Sequence, residues 1–218
     1  LIDCGNHPVV KLERAGVSIN SITDLVITHF HSDHVGSLPL LLMDMWLEKR
    51  KEVLRIYGLE FTIEHVQRLL EVFDWQKWDE RFPVEFIQLS DSEESVLIEE
   101  DQLKLTSLPM KHLVPSVGLR IEFPSRHFAA VYTSDTEPVE NVVKLSRNAD
   151  VLIHEAAGDA RGHTSPQKAG EAAAEAGVKH LVLIHYDPAI SEEEQIAAAA
   201  RAFNGKIDLA RDWMVLLD

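Results

Sequence analysis

Short apolar runs recur along the chain and alternate with stretches whose apolar residues repeat at helical spacing. The strand-like runs are DLVIT (24–28), LRIYG (54–58), LKLTSLP (103–109), VGLRIEF (117–123), FAAVYTSD (128–135), ADVLIHE (149–155), HLVLIH (180–185) and WMVLLD (213–218). Helical patterns fall between several of them: SLPLLLMDMWLEKR, FTIEHVQRLLEVF, SPQKAGEAAAEAG and SEEEQIAAAARAF. Ser165 stands as an N-cap with Pro166 in the first turn and Gly177 as a stop. Ser191 stands as a second cap, with acids in the first turn that complement the helix dipole. The order is strands with helices early, a strand-rich middle, then strand–helix–strand–helix–strand. A layered α/β protein fits this better than a barrel or a bundle.

The polar residues that interrupt the pattern fall at the ends of strands. His29 follows DLVIT, Asp135 follows AAVYTS, His154 and Glu155 close ADVLI, His185 closes HLVLI, and His112 follows LTSLPMK. Layered α/β proteins gather binding and catalytic groups beyond strand ends, where a rigid sheet holds them and loops leave room. One loop is unusually dense: THFHSDHVGSLP (28–39) places His29, His31, Asp33 and His34 within six positions. His-x-His in extended chain points both imidazoles the same way, and the next turn aims Asp33 and His34 at a neighbouring point. Imidazole and carboxylate suit Zn²⁺, with Mn²⁺ and Fe²⁺ also compatible. Two ions about 3.5–4 Å apart make sense of such a cluster. More ligands are then needed, and His112, Asp135 and His185 are suited to supply them.

Composition narrows the remaining choices. The chain has 218 residues and 45% apolar content, enough for one domain with its own core. Its formal charge of −15 disfavours non-specific contact with phosphate backbones. A single cysteine, Cys4, forms no intramolecular disulfide and suits a reducing, cytoplasmic setting. No apolar run reaches the roughly 18–20 residues that span a bilayer, so no membrane partner is expected. The chain opens at Leu1 on LIDCG, which reads as a strand entering a turn. A single domain over 1–218 that lacks its N-terminal strands is therefore expected.

His29-Phe30-His31-Ser32-Asp33-His34 matches HxHxDH, and on it the chain resembles the metallo-β-lactamase superfamily. VGSLPLLL, KHLVPSVGLRIE (111–122), YTSDT (132–136) and IHEAAGDARGHTSPQKAGEAAAEAGVKHLVLIH (153–185) resemble its ribonuclease Z-like branch, over nearly the whole chain. The resemblance implies an αββα sandwich of two mixed sheets and a binuclear metal hydrolase. It implies His29, His31 and His112 on one ion, Asp33, His34 and His185 on the other, and Asp135 between them. Asp33 would also orient the nucleophile, His163 in GHTS would donate a proton to the leaving oxygen, and Glu155 would orient His163. A homodimer is also implied, with the early helix LLLMDMW offering apolar surface for it.

The chain departs from ribonuclease Z in two places. Ribonucleases Z that process transfer RNA carry a long basic arm, in bacterial enzymes between the positions matched by His112 and Asp135. Here residues 113–134 read as one hairpin with only Arg120 and Arg126 as basic residues. The final ligand sits in LIHYDP, with Asp187 where a cation would hold phosphate. RNA is thus disfavoured, and a small phosphodiester is the expected substrate. Arylsulfatase-like or lactone hydrolysis is the alternative, and a non-catalytic metal-binding scaffold is the rival from another class. His7, His65, His127 and His180 read as structural or solvated, Cys4 as a small buried group, Trp46, Trp75 and Trp78 as core rather than wall of a substrate cleft, and 91–101 as a solvated hairpin rim. His154 reads either as support for the site or as structural.

Overall fold

The structure is a computed structural model, and residues 1–217 are described. The chain forms two compact units, Leu1–Leu89 and Ser90–Asp218.

The first unit holds a three-stranded parallel sheet of β1 (Asp24–Val26), β2 (Leu54–Leu59) and β3 (Val84–Leu89), in that order. Parallel neighbours need crossovers. The first runs through α2 (Ser32–Val35) and α3 (Leu38–Leu47), the second through α4 (Glu60–Val72), and α1 (Pro8–Arg14) precedes the sheet. α4 buries Thr62, Ile63, Val66 and Leu70, the stripe that the helical spacing predicts. Leu25, Ile27, Leu38, Leu42, Met45, Leu54 and Ile56 fill the core. Trp75 is buried there, while Trp46 and Trp78 pack against its edge, in line with a core role.

The second unit holds a seven-stranded sheet in the order β10-β9-β8-β7-β6-β5-β4. β4 (Ser95–Glu99), β5 (Lys104–Met110), β6 (Ser116–Phe123) and β7 (Phe128–Tyr132) form an antiparallel meander. β7, β8 (Val151–Ala156), β9 (His180–Tyr186) and β10 (Lys206–Leu209) are parallel. Their crossovers are α5 (Glu140–Ser146), α6 (Pro166–Ala176) and α7 (Glu192–Ala199). Small residues Ala169, Ala173 and Ala199 let these helices sit close over Val131, Leu152, Leu181 and Leu183. Gly177 ends α6 in the left-handed conformation, and Ser191 with Glu194 forms a capping box on α7.

Two expectations are corrected. WMVLLD is not a strand: 213–217 run as turns and bends, and Asp218 lies outside the described residues. Met214 and Leu216 instead pack over Ala130, Val151 and Val182, so their apolarity covers a sheet face rather than joining an edge. The true last strand is β10, whose KIDL is broken up by charge. LIDCG contributes only an isolated bridge, Ile2 to Val26. Among the described residues no helix is long and apolar enough to cross a membrane.

Candidate active site

In the first unit the chain leaves β1 into a buried Thr28-His29 pair, and His31 is the residue before α2. His29 Nε2 and His31 Nδ1 lie 3.1 Å apart. Two nitrogens bound about 2.0–2.1 Å from a tetrahedral ion stand roughly 3.3 Å from each other, so this spacing suits a shared ion. His34 donates Nδ1–H to Asp3 Oδ2 at 2.8 Å, and Asp33 Oδ2 lies 3.5 Å from its other nitrogen. Because a carboxylate only accepts, the contact fixes the tautomer and leaves Nε2 with its lone pair. Asp3 also accepts from Thr28 N–H at 2.8 Å and from the Thr28 hydroxyl at 3.0 Å.

Asp3 was not among the residues that sequence reasoning selected. The signal was present: LIDCG puts an acid just after a β-like stretch, as at the other strand ends. It takes a left-handed φ of 56°, a conformation that ordinary residues keep only where surrounding contacts enforce it. Cys4 beside it is buried, and burial first, then the Asp3 charge, pushes its thiol up to about 12. It is no nucleophile.

In the second unit the groups come from the ends of β5, β7, β8 and β9. His112 donates Nδ1–H to the Gly162 carbonyl at 2.6 Å, and its Nε2 lies 3.8 Å from Asp135 Oδ2. His185 donates Nδ1–H to Asp135 Oδ1 at 3.0 Å. His185 is the extra residue of a bulge: Glu155 pairs with Ile184 and Ala156 with Tyr186, and His185 sits at φ 50°. A bulge re-aims one side chain at a strand end, here onto Asp135. Ser134, just before Asp135, is also left-handed, at φ 54°.

His163 donates Nδ1–H to Glu155 Oε1 at 3.1 Å. Glu155 is fully buried, and its carboxylate also accepts from Thr136 N–H and Ala157 N–H, each at 3.0 Å. Burial pushes its carboxyl up; those backbone donors and His163 pull it down, and burial wins. The ligand atoms of His112, Asp135 and His163 lie within 4.8 Å of one another, as do those of Glu155, His163 and His185. This donor set, imidazole with carboxylate, fits a divalent ion such as zinc.

Glu137 was also missed. It accepts from Gly162 N–H at 3.0 Å and pairs with Lys111 Nζ at 2.6 Å, tying the His163 loop to the segment that carries His112. No motif marks it; only the folded loops bring it there. Gly162 itself is needed at φ 89°, where a Cβ would stand 3.1 Å from His112 Nδ1.

His154 takes no part in this cluster. Alternation along β8 sends Glu155 to the loop side and His154 to the helix side, among α5 and α6. Burial lowers its pKa to about 4, so the ring is neutral. Of the histidines expected to be structural, His180 pairs with Asp208 at 2.8 Å and His65 contacts the Phe61 carbonyl at 2.7 Å.

The family described as Beta-lactamase superfamily domain matches residues 1–186. A ribonuclease Z from Pyrococcus abyssi is 34% identical over 248 residues, covering 92% of this chain and 81% of the relative. One from Methanothermobacter thermautotrophicus is 28% identical over 271 residues, covering 99% and 86%. Among solved structures, the metallo-β-lactamase fold protein YhfI of Bacillus subtilis superposes with a TM-score of 0.79 at 24% identity, covering 97% of this chain and 83% of that one. Human tRNase Z, short form, gives 0.77 at 24% identity, covering 99% and 86%. The chain has the metallo-β-lactamase fold and belongs to the metallo-β-lactamase superfamily, in its ribonuclease Z-like branch.

Proposed function

We propose that this chain is a metal-dependent hydrolase of phosphodiester bonds that works with two divalent ions, zinc first, on a small substrate. The observation that carries the reading is the His163–Glu155 pair standing beside His112 and Asp135 within the second unit. A storage or scaffold site has no use for a proton donor backed by a buried carboxylate. The assignment of His29, His31 and His112 to one ion, and of Asp33, His34 and His185 to the other with Asp135 shared, follows the family pattern.

When bound, the ions supply Lewis acidity and bring the pKa of water from about 15.7 towards about 7. This chain's residues do the rest. Asp33, on the first turn of α2, orients the attacking water. Glu155 fixes His163 through Nδ1, so that Nε2 is the atom that hands a proton to the leaving oxygen. Such a positioned acid contributes typically 10²–10⁴-fold. The buried Glu155 holds the imidazole in one orientation, because its other contacts are backbone N–H groups that do not move independently.

The small-substrate reading is supported by the region between His112 and Asp135, which is the β6–β7 hairpin, and by the net charge of −15. RNA is the second reading, favoured by the name of the relatives at 28–34% identity. A panel separates them: the zinc-loaded protein is assayed on a bis-aryl phosphodiester, cyclic nucleotides, an aryl sulfate, a lactone and a precursor transfer RNA. Chelation is expected to abolish phosphodiester turnover. Efficient cleavage of the RNA with slow turnover of the small esters would overturn the small-substrate reading. Turnover confined to the sulfate or lactone would overturn the phosphodiester itself.

A further inference from the structure

β1 and β2 run parallel, so the chain leaves both at the same edge of the three-stranded sheet. From β1 it enters the loop of His29, Phe30 and His31; from β2 it turns at once into α4. Three rings of the first unit meet between these exits. Phe61 and His65 lie four positions apart on one face of α4 and stack with centroids 4.0 Å apart, 32° from parallel. Phe30 closes on His65 at 5.2 Å. All three rings are only half-buried, although Thr62, Ile63 and Val66 beside them on α4 are buried. Alternation along extended chain turns Phe30 away from its neighbours His29 and His31. The strip of rings therefore flanks that histidine pair without joining it.

Two features define what the strip suits. His65 donates Nδ1–H to the Phe61 carbonyl at 2.7 Å, which leaves the lone pair on Nε2. Among the described residues no hydrogen bond reaches that atom, and it is not buried. The charges next to Phe61 and His65 along α4 are the exposed Glu60 and Glu64, and Arg68 is paired with Glu64 at 3.7 Å. The strip thus repels a phosphate and suits the uncharged end of a substrate. A flat ring with an N–H group meets both demands, because it stacks on aromatic faces and donates to Nε2. A nucleobase is such a ring. An alkyl group cannot stack, and a plain phenyl ring has no donor.

We propose that Phe30, Phe61 and His65 form a subsite for the base of a nucleoside phosphodiester, with His65 Nε2 accepting a base N–H. The inference rests on the hydrolase reading for the ester itself and adds the substrate class: the substituent that stays on phosphorus is a nucleoside. The net charge of −15 gives the chain no general attraction for phosphate, so base stacking supplies binding energy that charge does not. The three residues set specificity, and none of them is placed at the reacting atoms.

Three esters with one leaving group test the subsite on the zinc-loaded full chain: thymidine 5′-(4-nitrophenyl) phosphate, its N3-methylthymidine counterpart and methyl 4-nitrophenyl phosphate. Because 4-nitrophenolate leaves from all three, differences report the other substituent. The wild type is expected to prefer the thymidine ester to the methyl ester by about tenfold or more in kcat/KM, chiefly through KM. F61L is expected to cut that preference several-fold for both nucleoside esters. H65F keeps a ring but loses the acceptor, and is expected to bring the thymidine ester down to its N3-methyl counterpart. Methyl ester turnover is expected to stay unchanged in both variants. If F61L fails to fold, H65F with the N3-methyl ester carries the test. Equal efficiency on the thymidine and methyl esters, or a preference untouched by H65F, would overturn the subsite. No turnover of any ester counts against the hydrolase reading, and the subsite is then decided by binding. Thymidine 5′-monophosphate is titrated into the chain with ¹⁵N-labelled histidines, where a saturable shift at His65 Nε2 supports the subsite and an unmoved resonance overturns it.

Discussion

Gly5 lies against the loop that carries His29, His31, Asp33 and His34, and replacing it with alanine is the sharpest test of how that loop is held. A Cβ built at position 5 stands 1.5 Å from the Asp33 carbonyl oxygen, 2.2 Å from its carbon and 3.0 Å from His34 N. These are backbone atoms, so no side chain can swing aside. One of the two strands of chain must retreat by roughly 2 Å to regain ordinary contact. The contact it disturbs is stitched by three hydrogen bonds: Cys4 N–H to His34 O at 2.6 Å, Ser37 N–H to Cys4 O at 2.9 Å, and Ser37 Oγ–H to Gly5 O at 2.8 Å. Overpacking costs about 1–3 kcal/mol. Losing two of the three bonds adds about 1 kcal/mol each. A loss of about 3–5 kcal/mol is therefore expected from a total of about 5–15. Urea denaturation of G5A beside the wild type measures the loss, and zinc content per chain reports whether His31, Asp33 and His34 still act together. If G5A holds its stability within about 0.5 kcal/mol and keeps full zinc content, the close approach is not what positions the loop.

Further outcomes follow from the same geometry. D3N removes the charge behind His34 and should weaken zinc binding about 10–100-fold with little change in fold, checked by competition with a chelating dye. D33A should abolish hydrolysis while leaving the circular dichroism spectrum unchanged; an unaltered rate would remove Asp33 from the mechanism. H163A should slow esters with poor leaving groups far more than activated aryl esters, and equal slowing would deny it the role of proton donor. Buried His154 binds its proton near pH 4, whereas an unfolded chain binds it near 6.5, so stability should fall as pH drops through that window. The full effect is at most about 3 kcal/mol. Urea midpoints at pH 7 and pH 4.5 should diverge less in H154L than in the wild type.

Much of the site was legible in the sequence because its chemistry is local there. His29, His31, Asp33 and His34 fall within six positions, and one strand end with one short helix orients them. His163 and Glu155 were found through resemblance, and folding brings them to 3.1 Å across eight positions of chain. Asp3 and Glu137 were missed because each acts on partners remote in sequence, His34 and Gly162. The strands β3, β4 and β10 were missed for a different reason. They carry charged residues on exposed faces, and their pairing is decided by neighbours rather than by their own hydrophobicity.

By itself the sequence determined the layered α/β class, the helices with their caps, and the clustering of metal-type ligands beyond strand ends. Periodicity, capping and ligand spacing are properties of short segments, so a single chain can display them. Only the tertiary structure decided which face of a strand each residue uses and which backbone groups complete it. Glu155 and His154 are adjacent in sequence, yet one closes on His163 and the other lines a cavity under two helices. The two-residue period of a strand separates them, and only packing assigns each face its neighbours. His185 reaches Asp135 through a bulge, which is set by the pairing of β8 with β9 and by nothing in the local sequence.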